Sequence, residues 1–107
     1  MKCNDRVFLS SRERATIASI LEPMRARLGP VKVFGSRATG RARPASDLDL
    51  VVFPPAPRRD LIDLRFAFED SDLPITVDVL AWDEIDYQPL RDEIARHAVP
   101  FFDEAVA

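Results

Sequence analysis

Residues 34–53 read FGSRATGRARPASDLDLVVF, and the fold turns on them. A short apolar run ends in Gly35-Ser36. Ten residues later Asp47-Leu48-Asp49-Leu50 opens a second apolar run. Side chains alternate faces along a strand, so Asp47 and Asp49 point one way and Leu48 and Leu50 the other. At about 3.3 Å rise per residue, the two aspartate Cα atoms lie roughly 6.6 Å apart. Like charges held so close in a region of low dielectric repel. Either something positive stands between them or both stay hydrated. Two carboxylates with substrate phosphates make a usual magnesium site.

Working outward, ITVDVL (residues 75–80) is a further strand, with Ile75, Val77 and Val79 on one face and Asp78 on the other. A charge within so apolar a strand needs a reason. If Asp78 shares a face with Asp47 and Asp49, three carboxylates can hold two metal ions about 3.5–4 Å apart. That arrangement suits in-line displacement at phosphorus. Gly35, lacking a Cβ, lets the backbone approach a phosphate, and Ser36 offers a hydroxyl and an N–H. The residues after it can start a helical turn whose free N–H groups favour anions. Arg37 and Arg43 can add charge-assisted bonds to phosphate oxygens, with Arg41 expected to face solvent. Ser46 can cap or orient Asp47. The plainer alternatives are a cap for Asp47, a salt bridge for Asp49, charge balance for the arginines and a simple turn at Gly40.

Ser10-Ser11-Arg12-Glu13 has the form of a capping box, so a helix begins near Ser11. Ile17, Ile20, Leu21, Met24 and Leu28 form its apolar stripe; Pro23 kinks or splits it, and Gly29-Pro30 stops it. Val31 to Phe34 and Leu48 to Phe53 read as strands, and Arg58 to Glu69 as a helix with Leu61, Leu64 and Phe68 inward. The tail from about Asp83 to Ala105 reads as mostly helical, interrupted at Pro89 and Pro100. The 13 residues between Phe34 and Leu48 are barely enough for a parallel crossover. The expected fold is α/β (α+β): a short, mixed three-stranded sheet packed with about four helices.

With 107 residues, 47% of them hydrophobic, the chain has the size of one domain with one small core. Its net charge of −3 implies no general affinity for nucleic acid. One cysteine, Cys3, cannot form an internal disulfide, and no signal-peptide or membrane-spanning run is visible. A soluble cytoplasmic protein is expected. His97 reads as a surface residue, and Trp82 as packing. Tyr87 reads as structural, with self-modification as the alternative. Phe101 and Phe102 are adjacent and cannot share one face of a helix; core packing is the expected reading for them, with one exposed at an interface as the alternative.

Phe34-Gly35-Ser36, the ten-residue spacer and Asp47-Leu48-Asp49-Leu50 together resemble the signature of the DNA polymerase beta-like nucleotidyltransferase superfamily. The run GSRATGRARPASDLDL is similar to its minimal nucleotidyltransferase branch. The resemblance implies a single minimal nucleotidyltransferase domain over residues 1–107. It implies ATP as substrate and two Mg2+ ions. Gly35 and Ser36 would hold the triphosphate. Asp47 and Asp49 would ligate both metals, and Asp78 would ligate the catalytic one and help deprotonate the acceptor. It further implies transfer of AMP to a hydroxyl, and a partner: small proteins of this branch are often antitoxins paired with a HEPN-domain toxin, whose tyrosine they adenylylate, in a type VII-like system. Two alternatives remain at this point, an antitoxin that acts by binding alone and transfer to a small molecule.

Overall fold

The computed structural model describes residue 4 and residues 6–102, so Cys3 and the end of the tail lie outside the described residues. Helix α1 (Ser11–Leu21) starts at the expected capping box. Glu13 N–H donates to Ser10 Oγ at 3.1 Å, and Ser10 N–H donates to Glu13 Oε1 at 2.9 Å. Pro23 cannot continue the α-helical ladder, and the chain goes on as one 3-10 turn, Glu22–Met24. Strand β1 (Val31–Phe34), the single turn α2 (Ser36–Thr39), strand β2 (Leu48–Val52) and helix α3 (Arg58–Glu69) follow. Strand β3 (Val77–Ala81) leads through a second 3-10 turn, Trp82–Glu84, to α4 (Gln88–His97) and β4 (Val99–Pro100).

The sheet order is β3-β2-β1-β4. β1 runs antiparallel to both β2 and β4, while β2 and β3 are parallel. The 13-residue link after Phe34 is therefore an antiparallel return. The parallel crossover is the longer link that carries α3.

The sheet has four strands where three were expected. β4 is two residues long and pairs Val99 with Val33 and Pro100 with Lys32. A proline is tolerated there because β4 is an edge, and so short a strand shows no alternation to read. The tail helix is correspondingly shorter than expected, ending at His97. Pro89, read as an interruption, sits in the first turn of α4, where no N–H is needed. Phe101 and Phe102 are both buried and pack edge to face at 5.0 Å. They leave a strand rather than extend a helix: Phe101 N–H donates to Val31 O at 3.1 Å.

Helices cover both faces of the sheet. On one face α1 and α3 pack over Val33, Leu48, Leu50, Val52, Val79 and Ala81. On the other, Ile94 of α4 and Ile85 pack with Phe34 and Val51, and Trp82 stacks on Phe53 at 4.9 Å. No described helix is long and apolar enough to cross a membrane.

Candidate active site

The parallel register sets Asp49 beside Asp78, and the antiparallel register sets Phe34 beside Asp49. Gly35, one residue beyond Phe34, thus arrives where β2 begins. Leu48 N–H donates to Thr76 O at 2.9 Å and ties the starts of β2 and β3 together. Asp47 and Asp78 are exposed and Asp49 is half-buried. All three lie on the α4 face, beyond the apolar cover.

Gly35 has φ 75° and ψ −154°, a conformation that in practice only glycine adopts. A Cβ added there would stand 2.5 Å from Asp49 Oδ2. The glycine was expected to admit a phosphate; the nearest group it admits is the carboxylate of Asp49. That carboxylate is pushed up to about 6, first by burial, then by the charges of Asp78 and Asp47. Among the described residues no ion pair neutralises any of the three.

These observations fit a divalent cation. The donor set is all oxygen, as a hard cation requires. Asp49 is held in a cradle that a Cβ would fill, and its pKa is raised first by burial and then by the neighbouring carboxylates of Asp78 and Asp47. No group of three or more candidate ligands among the described residues already stands in metal-holding geometry. Asp47 and Asp78 are exposed and make no hydrogen bond among the described residues, so both can turn inward.

The structure gives Arg37 a role other than phosphate binding. It is 4% exposed, although it carries a full charge. Its Nη1 donates to Phe8 O at 2.8 Å, and its Nη2 to the carbonyls of Ser46, Pro44 and Arg43 at 2.9, 3.2 and 3.3 Å. Its Nε also donates to Ser46 O, at 3.2 Å. Glu13 lies 3.9 Å from Nη1. The guanidinium is spent on the loop that delivers Asp47, which leaves no fork for a ligand. Ser46 closes the same loop, its Oγ accepting from Arg43 N–H at 2.8 Å. Arg43 is exposed and lines a hollow with Phe8, Arg14 and Pro44, away from the carboxylates.

Gly35 and Ser36 also line a groove of about 740 Å³. Its other walls include Thr39 and Arg41, the end of α4 with Arg96 and His97, and Arg6. A second hollow, of about 400 Å³, joins Asp49 and Asp78 to Arg65 and Glu69 of α3. Arg65 is engaged there, its Nη2 donating to Val79 O at 2.7 Å.

Against known proteins, the family model described as "Nucleotidyltransferase domain" matches residues 17–100. The chain belongs to the nucleotidyltransferase domain family. It is 40% identical over 79 residues to a protein of Haemophilus influenzae named "Probable protein adenylyltransferase MntA". That match covers 69% of this chain and 66% of the relative, so the chain spans just under two thirds of that relative's length. A solved minimal nucleotidyltransferase is similar with a TM-score of 0.61 and 36% identity, over 81% of this chain and 90% of that one. A toxin–antitoxin crystal structure with AMP-PNP is similar with a TM-score of 0.65 and 18% identity, over 86% of this chain and 74% of that one, a likeness of fold.

Within this nucleotidyltransferase domain, the sequence pattern missed the cationic groove. Arg6, Arg96 and His97 come from segments far apart in sequence, and none belongs to a short motif. Only the charge of RARPA hinted at it, through Arg41. Tyr87, read as structural, is 66% exposed just ahead of α4.

Proposed function

We propose that this chain is a magnesium-dependent nucleotidyltransferase that transfers AMP from ATP to a tyrosine hydroxyl of a partner HEPN-domain toxin, and so serves as its antitoxin. The observation that carries this reading is the set Asp47, Asp49 and Asp78 on one sheet face, with Gly35 against Asp49. The 40% identical relative named as a protein adenylyltransferase supports the transfer, and the toxin–antitoxin structure of the same fold supports the kind of partner. Asp47, Asp49 and Asp78 would hold two divalent ions. Bound there, such ions would lower the pKa of the attacking hydroxyl and stabilise the departing pyrophosphate.

The chain's own residues supply position. The Arg37 clamp and Ser46 fix the loop that presents Asp47. The β2–β3 register fixes Asp49 beside Asp78. Asp78, at the exposed edge of the sheet, would take up the acceptor proton as its oxygen bonds to the α-phosphorus. The bond from that phosphorus to pyrophosphate breaks on the opposite side.

The test is incubation with α-labelled ATP, magnesium and a HEPN partner. Label should move to the partner and fail to move with the double variant Asp47→Asn/Asp49→Asn. Label that still moves with that variant removes the assigned site. A variant that no longer transfers but still neutralises the toxin makes the protein a masking antitoxin instead.

A further inference from the structure

We infer that the outer edge of β3 receives an extended, basic segment of the protein substrate as an added strand, and so leads its acceptor hydroxyl to Asp49 and Asp78. This deepens the reading above and rests on it for the transfer. β3 ends the sheet and is paired on one side alone, with β2. Leu48 N–H donates to Thr76 O, so residues 76, 78 and 80 turn their backbone groups toward β2. Val77 and Val79 turn theirs outward. Among the described residues the one partner these outward groups have is Arg65, whose Nε and Nη2 both donate to Val79 O, at 3.2 and 2.7 Å.

The two ends of the sheet are finished differently. β4 is two residues long and carries Pro100, which blunts it as an edge. β3 is five residues long and has neither proline nor lysine. An edge of that kind invites another strand. It stands open on the very strand that carries Asp78.

Charge and surface define the strand it fits. Residues 66–90 hold seven carboxylates and no lysine or arginine, although the whole chain stands at only −3. Asp70 and Asp72 are exposed before β3, and Asp83, Glu84 and Asp86 are exposed after it. A segment with a cation at each end meets opposite charge at each end. Its middle meets apolar surface. Arg65 reaches the edge from α3; Ile62, one turn earlier on that flank, is 41% exposed, and Phe66 beside it is 65% exposed. The hollow of about 400 Å³ runs along this edge from Arg65 and Glu69 to Asp49 and Asp78. Helices cover both faces of the sheet, which leaves the edge as an open approach to the carboxylates. A tyrosine on a strand added there enters the hollow with its hydroxyl foremost.

The full chain is titrated calorimetrically with a capped pentapeptide, Lys-Val-Tyr-Val-Lys, and with two N-methylated versions of it. One is methylated at both valines, the other at the tyrosine and the last lysine. Along an added strand alternate N–H groups face the neighbour, so one version should lose at least about tenfold in affinity and the other should bind as the parent does. Equal loss in both versions, or loss in neither, overturns the inference. Glutamates in place of the lysines should weaken binding, and unchanged affinity for that peptide overturns the inference as well. Val77→Pro removes an outward N–H and leaves the β2 ladder intact, which an unchanged melting temperature confirms. It should also cost about tenfold in affinity for the parent peptide, and unchanged affinity overturns the inference. Alternating loss in a protein that transfers no AMP supports the edge and removes the proposed function. AMP transfer to a HEPN partner without that alternation keeps the proposed function and overturns the inference. Self-association that Val77→Pro abolishes, read by sedimentation, gives the edge to a second copy of the chain and overturns it too.

Discussion

The two faces of β2 differ in what their side chains meet. Leu48, Leu50 and Val52 sit at 0% exposure beneath α1 and α3. Asp49, between the two leucines, faces the α4 side and keeps company with Asp47, Asp78 and the backbone of Gly35. One face is arranged for stability. The other packs Val51 against Ile85 and Ile94 but at its Asp49 end concentrates like charge, which opposes folding and is useful if a cation is to be held. Substitutions of the leucines and of the aspartates should therefore act in opposite directions.

The largest expected effect is on the acidic face. Asp47→Asn/Asp49→Asn should cut AMP transfer by about 10³-fold or more, the scale of removing a charge-stabilising group from an active site. Its chemical melting midpoint should stay level or rise. A variant that unfolds would break the comparison, because these carboxylates would then be holding the fold. On the leucine face, Leu50→Ala should cost about 2–5 kcal/mol of stability, read from urea unfolding, through lost burial and the cavity left behind. Gly35→Ala sharpens the contrast at the seam between strand and site. Its methyl group meets Asp49 Oδ2 and its φ is strained. Displacing the carboxylate by about an ångström should slow transfer roughly 10²-fold, with a smaller loss of stability.

The acidic face was legible because its signal is local. Asp47 and Asp49 are two residues apart, and strand alternation alone puts them on one side. Asp78 needed only the inference that a charge in ITVDVL faces away from the core. The helix Arg58–Glu69 was readable residue for residue because Leu61, Leu64 and Phe68 repeat at helical spacing. Arg37 was misread for a physical reason. A motif shows which charges are near in sequence, not which carbonyls lack donors. The loop before Asp47 had several, and they took the guanidinium. β4 was missed because two residues carry no period, and the groove because its arginines meet only in three dimensions.

The smallest expected effect is the pH dependence of stability, and it tests the same opposition without any substrate. Asp49 ionises near pH 4 in the unfolded chain and at about 6 in the folded one. Between those values the native state holds a proton that the unfolded state has released. Stability therefore falls as pH rises through that window, and the loss is complete above about pH 6. Asp49→Asn removes the titrating group, so its melting temperature should match wild type near pH 4 and exceed it by a few degrees at pH 7.5. Solvent reaches the half-buried carboxylate and keeps the difference small. Magnesium chloride at pH 7.5 should then raise the melting temperature of wild type and leave that of Asp49→Asn where it was, because a ligand stabilises only the form that binds it. A wild type that gains nothing from magnesium would mean that the repulsion on this face is not there to hold a cation, and the contrast between the two faces of β2 would lose its functional meaning.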